Sequence, residues 1–248
     1  MRSVVANHPN FNKGKDTELY FNFDDIKELE TQFNEIWDRG DYSKGLIKKD
    51  MIVIDLGANI GLSALYFKDH ARVIYALEPS PLYYECLVKN TKPYKNIKPF
   101  NLACGYANKP MLLRTNNSSR IPESFFGDGQ NGLMVNMVTL EKFMQDNGID
   151  HVDLLKVDTE GSEYLIFPSN GFIAVADKID HIIGEGHYMM NIQPDFIPLI
   201  LKDYGFKTEF LDIPNMHTDI NLAAIDDNVK AKSYRIMRNT IFFAERES

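Results

Sequence analysis

Cysteine is scarce in this sequence, tryptophan scarcer still, and positive charge falls short of negative. Two cysteines, Cys86 and Cys104, in 248 residues are too few for a disulfide-stapled scaffold. Their places, in a helical stretch and just after a strand, suit reduced, packed thiols. Lys and Arg number 27 against 35 Asp and Glu, a formal charge of −8. That balance argues against a nucleic-acid partner, because polyanions are bound by clustered cations. No apolar run approaches the ~20 residues of a membrane span. The opening MRSVVANHPNFNKGK also lacks the apolar stretch of a signal peptide. A cytoplasmic protein with no membrane partner is expected.

What is present is an ordinary globular composition, 44% hydrophobic and 25% charged, enough for one large α/β domain with a sizeable core. Residues 1–50 read as an N-terminal accessory segment, partly helical: Ile26, Leu29, Phe33, Ile36 and Trp37 form an apolar stripe behind acidic Asp24 and Asp25. Such a helix packs on the domain edge or covers a cleft. Residues 51–248 read as an α/β domain interrupted by a loop over 114–135, rich in Gly, Ser, Asn and Pro. A loop of that length points to an acceptor-binding lid or a disordered surface loop.

The densest signal is MIVIDLGANIG, Met51 to Gly61. An apolar strand runs into a Gly turn and then a helical pattern, the architecture that offers backbone N–H groups to a nucleotide-like ligand. The next strand ends at Glu78, about twenty residues past Gly57, where an acid accepts hydrogen bonds from both ribose hydroxyls. A dinucleotide turn wants glycine at i, i+2 and i+5. Here Gly57 is followed by Asn59 at i+2, Gly61 at i+4 and Leu62 at i+5. Asn tolerates left-handed dihedrals, but its side chain takes the space of a pyrophosphate. Asp55, read as closing the strand, repels phosphate and could hold an ammonium group. Adenosine at one end and an amino acid at the other describe S-adenosylmethionine. Asn101 to Gly105 closes a third strand where such a fold places adenine, so Asn101 and Ala103 join the expected cofactor residues.

Two later strand ends carry acids. Val152 to Asp158 reads as a buried strand that delivers Asp158, then Glu160, to the sulfonium end of the cofactor, with Gly161 leaving room. Ile183 to His187 places Glu185 and His187 two residues apart, on one side of a strand end. His187 is the expected base for an acceptor hydroxyl, with Glu185 orienting it or binding the acceptor. Asp158, Glu160, Glu185 and His187 could also gather Mg²⁺, although nothing in their spacing demands it.

These segments together resemble the FkbM-type family of S-adenosylmethionine-dependent methyltransferases: IDLGANIG, ALEPS, NLACG, VTLEKF, DLLKVDTEGSE and GEGH, between Met51 and His187. The resemblance implies a Rossmann-like, mostly parallel seven-stranded sheet with helices on both faces, and O-methylation of a sugar, glycan or natural-product hydroxyl. It implies Gly57, Asn59 and Glu78 as cofactor residues, and Asp158, Glu160, Glu185 and His187 as the active-site rim. Competing readings are a non-catalytic member that binds a nucleoside or a partner, and a nicotinamide-dependent oxidoreductase, which the glycine spacing disfavours.

Overall fold

A computed structural model describes residues 1–9, 11–22, 26–114, 132–187, 196–210 and 240–247. Most of the 114–135 loop lies outside them. The chain opens with an antiparallel hairpin, β1 (Arg2–Ala6) and β2 (Thr17–Phe21), which the sequence reading did not anticipate. Helix α1 (Ile26–Phe33) follows on the predicted stripe and continues as a π-helical turn, Asn34–Arg39, stopped by left-handed Gly40.

The α/β core then alternates: β3 (Met51–Leu56), α2 (Leu62–Phe67), β4 (Ala71–Leu77), α3 (Pro81–Thr91) and β5 (Ile97–Phe100). A small three-stranded sheet interrupts it, built from β6 (Ala103–Cys104), β7 (Lys109–Arg114) and β8 (Gly132–Val138) in the order β6-β8-β7. Next come α4 (Leu140–Asp146), β9 (Val152–Val157), α5 (Glu163–Ile166), α6 (Asn170–Ile173) and β10 (Ile179–Gly186). The end is α7 (Phe196–Asp203), β11 (Phe206–Phe210) and β12 (Thr240–Arg246). Helix α4 is capped by Thr139, whose hydroxyl accepts the Lys142 N–H at 3.3 Å.

The main sheet has seven strands in the order β11-β12-β10-β9-β3-β4-β5. Six point the same way, and β12 runs antiparallel to both its neighbours. This is the Rossmann-like architecture the motifs imply. Strand order reverses between β3 and β9, the point at which such sheets open a ligand crevice at their carboxyl ends.

Both faces are covered, so the central strands are apolar in succession rather than alternately. Val53 and Leu154 pack under α2 and α3, while Ile54 and Leu155 pack under α4 to α7. The N-terminal segment belongs to the first of these cores. Phe11, Leu19, Leu29, Ile36, Trp37 and Tyr42 are buried in one cluster with Leu65 and Phe67.

Candidate functional site

The turn after β3 is held by its neighbours on both sides. Gly57 and Ala58 donate to the Leu77 carbonyl at 3.1 and 2.9 Å. Gly57 takes a φ of 75°, and a Cβ there would lie 1.8 Å from the Asp158 carbonyl oxygen. Only glycine lets the ends of β3 and β9 approach so closely. Asn59 adopts the left-handed conformation expected, at φ 49°. Gly61 serves packing instead: a Cβ there would meet Leu87 Cδ1 at 2.8 Å, so the residue seats α2 against α3 and does not line the cleft.

A cleft open to solvent lies at this crevice, and Gly57, Ala58, Asn59, Glu78 and Ala103 line one side. Glu78 is buried. Its Oε2 accepts the Asn59 N–H at 2.9 Å and its Oε1 the Ser80 N–H at 2.8 Å. Burial pushes its pKa up to about 7 against the lowering effect of these donors. Asn59 Oδ1 is buried with no hydrogen-bond partner among the described residues.

Two expected cofactor residues have other work. Asp55 does not close its strand and does not line the cleft. It is wholly buried, accepts the Ser63 hydroxyl at 2.6 Å, and pairs with Lys156 Nζ at 3.2 Å. The protein itself supplies the ammonium group. Asn101 turns its amide to the Glu78 and Pro79 carbonyls, 2.9 Å each, and fixes the loop without lining the cleft.

The opposite end is acidic. Asp158 accepts the Tyr42 hydroxyl at 2.8 Å and lies 3.6 Å from Lys156 Nζ. Burial alone would raise its pKa, yet Lys156 and His187 hold it below the usual carboxylate range. Glu185, on β10, lines the same wall, and burial in acidic company pushes it up to about 8. Glu160 sits at φ 53° with 59% of its side chain exposed.

His187, the expected base, stands behind the cleft wall. It is buried, does not line the cleft, and lies among Glu163 (3.3 Å), Glu160 (3.3 Å), Asp158 (3.8 Å) and Glu185 (4.0 Å). Burial would lower its pKa, but the carboxylates win and raise it well above the ordinary value. With carboxyl groups around both ring nitrogens, the imidazole faces acids rather than an acceptor in the cleft. Asp158, Glu160 and Glu185 are the groups that reach the cleft.

Several site residues escaped the sequence reading. Buried Lys156 donates to the Gly57 carbonyl at 2.8 Å and lies 5.7 Å from the Tyr42 ring centroid. Burial pulls its pKa down, and Asp55 and Asp158 more than reverse that. A lysine inside LLKV was a readable signal, because a buried strand keeps a charge only with a partner. Buried Glu163 accepts the Thr159 N–H at 2.7 Å and the Thr159 hydroxyl at 2.9 Å. From the N-terminal segment, Gln32, Glu35, Ile36, Asp41 and Tyr42 form the facing wall. Burial raises Glu35 to about 7 although Arg39 stands 3.5 Å away. Nothing in the motifs announced that wall.

No helix among the described residues is long and apolar enough to cross a membrane. Methyltransferase sdnD of Sordaria araneosa is 28% identical over 227 residues, covering 73% of this chain and 84% of that protein. Among solved structures, the precorrin-6y C5,15-methyltransferase of Geobacter metallireducens superposes with a TM-score of 0.47 at 14% identity, over 84% of this chain and 88% of the other. The fibrillarin pre-rRNA processing protein of Methanococcus jannaschii gives 0.47 at 17%, over 82% and 69%. The methyltransferase FkbM domain matches residues 55–208, a span that holds the turn at Gly57, Glu78 and the acidic wall from Asp158 to His187. The chain belongs to the FkbM methyltransferase family.

Proposed function

We propose that this chain uses S-adenosylmethionine to methylate a hydroxyl of a sugar, glycan or natural-product small molecule. The observation that carries the cofactor reading is the buried Glu78 carboxyl beside a Gly57–Asn59 turn. Each of its oxygens accepts one backbone N–H and keeps lone-pair capacity for a ribose hydroxyl. The orphaned Asn59 Oδ1 adds a second acceptor for a polar ligand. Leu102, Ala103 and Cys104, on the same side, offer a flat apolar seat for a base.

S-adenosylmethionine, when bound, supplies an electrophilic methyl group and its leaving group. The protein's share is to hold the acceptor in line and to take its proton. Glu35, Asp158 and Glu185 are hydrogen-bond acceptors around the remaining space, which suits a ligand rich in hydroxyl donors. Asp158, held below the usual carboxylate range, disfavours a phosphate there, and the formal charge of −8 does so generally, which supports a small molecule over nucleic acid.

Calorimetry with S-adenosylhomocysteine, followed by an assay of its release over a panel of hydroxylated sugars and natural products, tests this reading. Binding plus acceptor-dependent release supports it. No binding, or binding without release on any acceptor, overturns the cofactor site or the catalytic claim respectively.

A further inference from the structure

At the acidic end of the cleft, the informative side chain is the one at its back. His187 is 7% exposed, and Glu163, which has no exposed surface, faces its Nδ1 at 3.3 Å. Tyr164 donates to the His187 carbonyl at 2.7 Å and fixes the backbone beneath the ring. With Nδ1 committed to Glu163, Nε2 is aimed at Glu160 Oε2 (3.3 Å), Asp158 Oδ1 (3.8 Å) and Glu185 Oε1 (4.0 Å). It makes a hydrogen bond to none of them. A neutral ring would set a lone pair against three carboxyl oxygens, so the arrangement calls for a positive charge at its centre.

We propose that Asp158, Glu185 and His187, with Glu160 beside them, form a binding site for a divalent cation of the Mg²⁺ or Mn²⁺ class. The ligand atoms of Asp158, Glu185 and His187 all lie within 4.8 Å of one another. An octahedral ion with bonds of ~2.2 Å spaces its ligands ~3.1 Å apart when adjacent and ~4.4 Å when opposite, and the separations from Nε2 fall in that interval. Oxygen donors in the majority select a hard cation, and one imidazole tilts the choice toward Mn²⁺. Glu163 then has the part of the outer carboxylate that orients a metal-bound histidine through its second nitrogen. The three ligands come from two adjacent strand ends: Asp158 follows β9, while Glu185 lies on β10 and His187 follows it. The role of the ion, seating an acceptor oxygen, rests on the methyl-transfer reading above; its binding does not.

Mn²⁺ alone, titrated into the full chain and followed by electron paramagnetic resonance of the free ion, tests the proposal without cofactor or acceptor. One ion should bind with a Kd below ~100 µM, and Glu185→Gln, at the accessible edge of the cluster, should weaken it about tenfold or more. His151→Gln is the control. His151 faces Asp153 and Asp180 at 3.3 and 3.1 Å in a second acid cluster, where Lys48 already pairs with Asp153, and its loss should leave binding unchanged. A free-ion signal undiminished up to about 1 mM, or a bound ion that Glu185→Gln does not weaken, overturns the site. A proton on Nε2 is then the charge between the carboxylates. S-adenosylhomocysteine affinity is read separately, so the cation site and the cofactor reading fail independently.

Discussion

The Glu78 carboxylate accepts the Asn59 N–H at 2.9 Å although 19 residues separate the two in sequence. The bond ties the Gly turn after β3 to the end of β4, and so couples the shape of the turn to the charge of the acid.

That coupling makes cofactor affinity depend on pH. With its pKa raised to about 7, Glu78 is mostly ionised at pH 8 and mostly protonated at pH 6. Only the ionised form accepts two ribose donors without losing a lone pair to its own proton. S-adenosylhomocysteine affinity should therefore fall roughly tenfold from pH 8 to pH 6, by calorimetry. Glu78→Gln should bind weakly and without that slope; a flat wild-type profile would remove Glu78 from the ribose site.

Gly57→Ala should cost roughly 3 kcal/mol, because strain at φ 75° adds to collision with the Asp158 carbonyl. At ~2–4 °C per kcal/mol for a chain of this size, melting should drop by about 6–12 °C. Gly148→Ala isolates the strain alone: φ is 62°, and nothing lies within 4 Å of the added carbon. Its cost should be about 1 kcal/mol. Equal melting shifts for the two variants would contradict the close approach of β3 and β9.

Lys156 and Asp55 should behave as one unit. Lys156→Met leaves a buried carboxylate without its cation, a loss of about 3–5 kcal/mol in denaturant unfolding. Adding Asp55→Asn should restore part of that loss. Strict additivity in the double-mutant cycle would mean that the two do not share charge.

Tyr42→Phe keeps the ring beside Lys156 and deletes the hydroxyl that Asp158 accepts. Stability should fall by about 1 kcal/mol. S-adenosylhomocysteine affinity should hold while turnover on a hydroxylated acceptor declines. A change confined to cofactor affinity would place Tyr42 on the other side of the cleft.

The sheet was legible in the sequence because its central strands are buried on both faces. Met51 to Ile54 is apolar in succession, Val152 to Val157 is so apart from Asp153 and Lys156, and Gly57 and Glu78 follow apolar strands at fixed offsets. The β1–β2 hairpin was not legible. Arg2–Ala6 is largely exposed, so it carries no strong alternation of apolar and polar residues. Within the site, the strand-end acids could be listed but not assigned. Whether Asp55 meets a ligand or Lys156 depends on which way each side chain turns between β3 and β9. Whether His187 gives or takes a proton depends on Glu163, which sits in the same acidic motif and reads there as an ordinary helix start. Tyr42 and Glu35 reach the cleft through tertiary packing alone.

Residues 32–42 build one wall of the cleft yet lie outside the family match at 55–208. The wall at Gly57 and Glu78 falls inside the match, whereas the facing wall falls outside it and is joined to the strand ends by the Tyr42–Asp158 hydrogen bond. On the methyl-transfer reading, exchanging residues 26–45 between relatives should shift acceptor preference. Trimming to the matched region would instead open the core, because Ile36, Trp37 and Tyr42 are buried with Leu65 and Phe67.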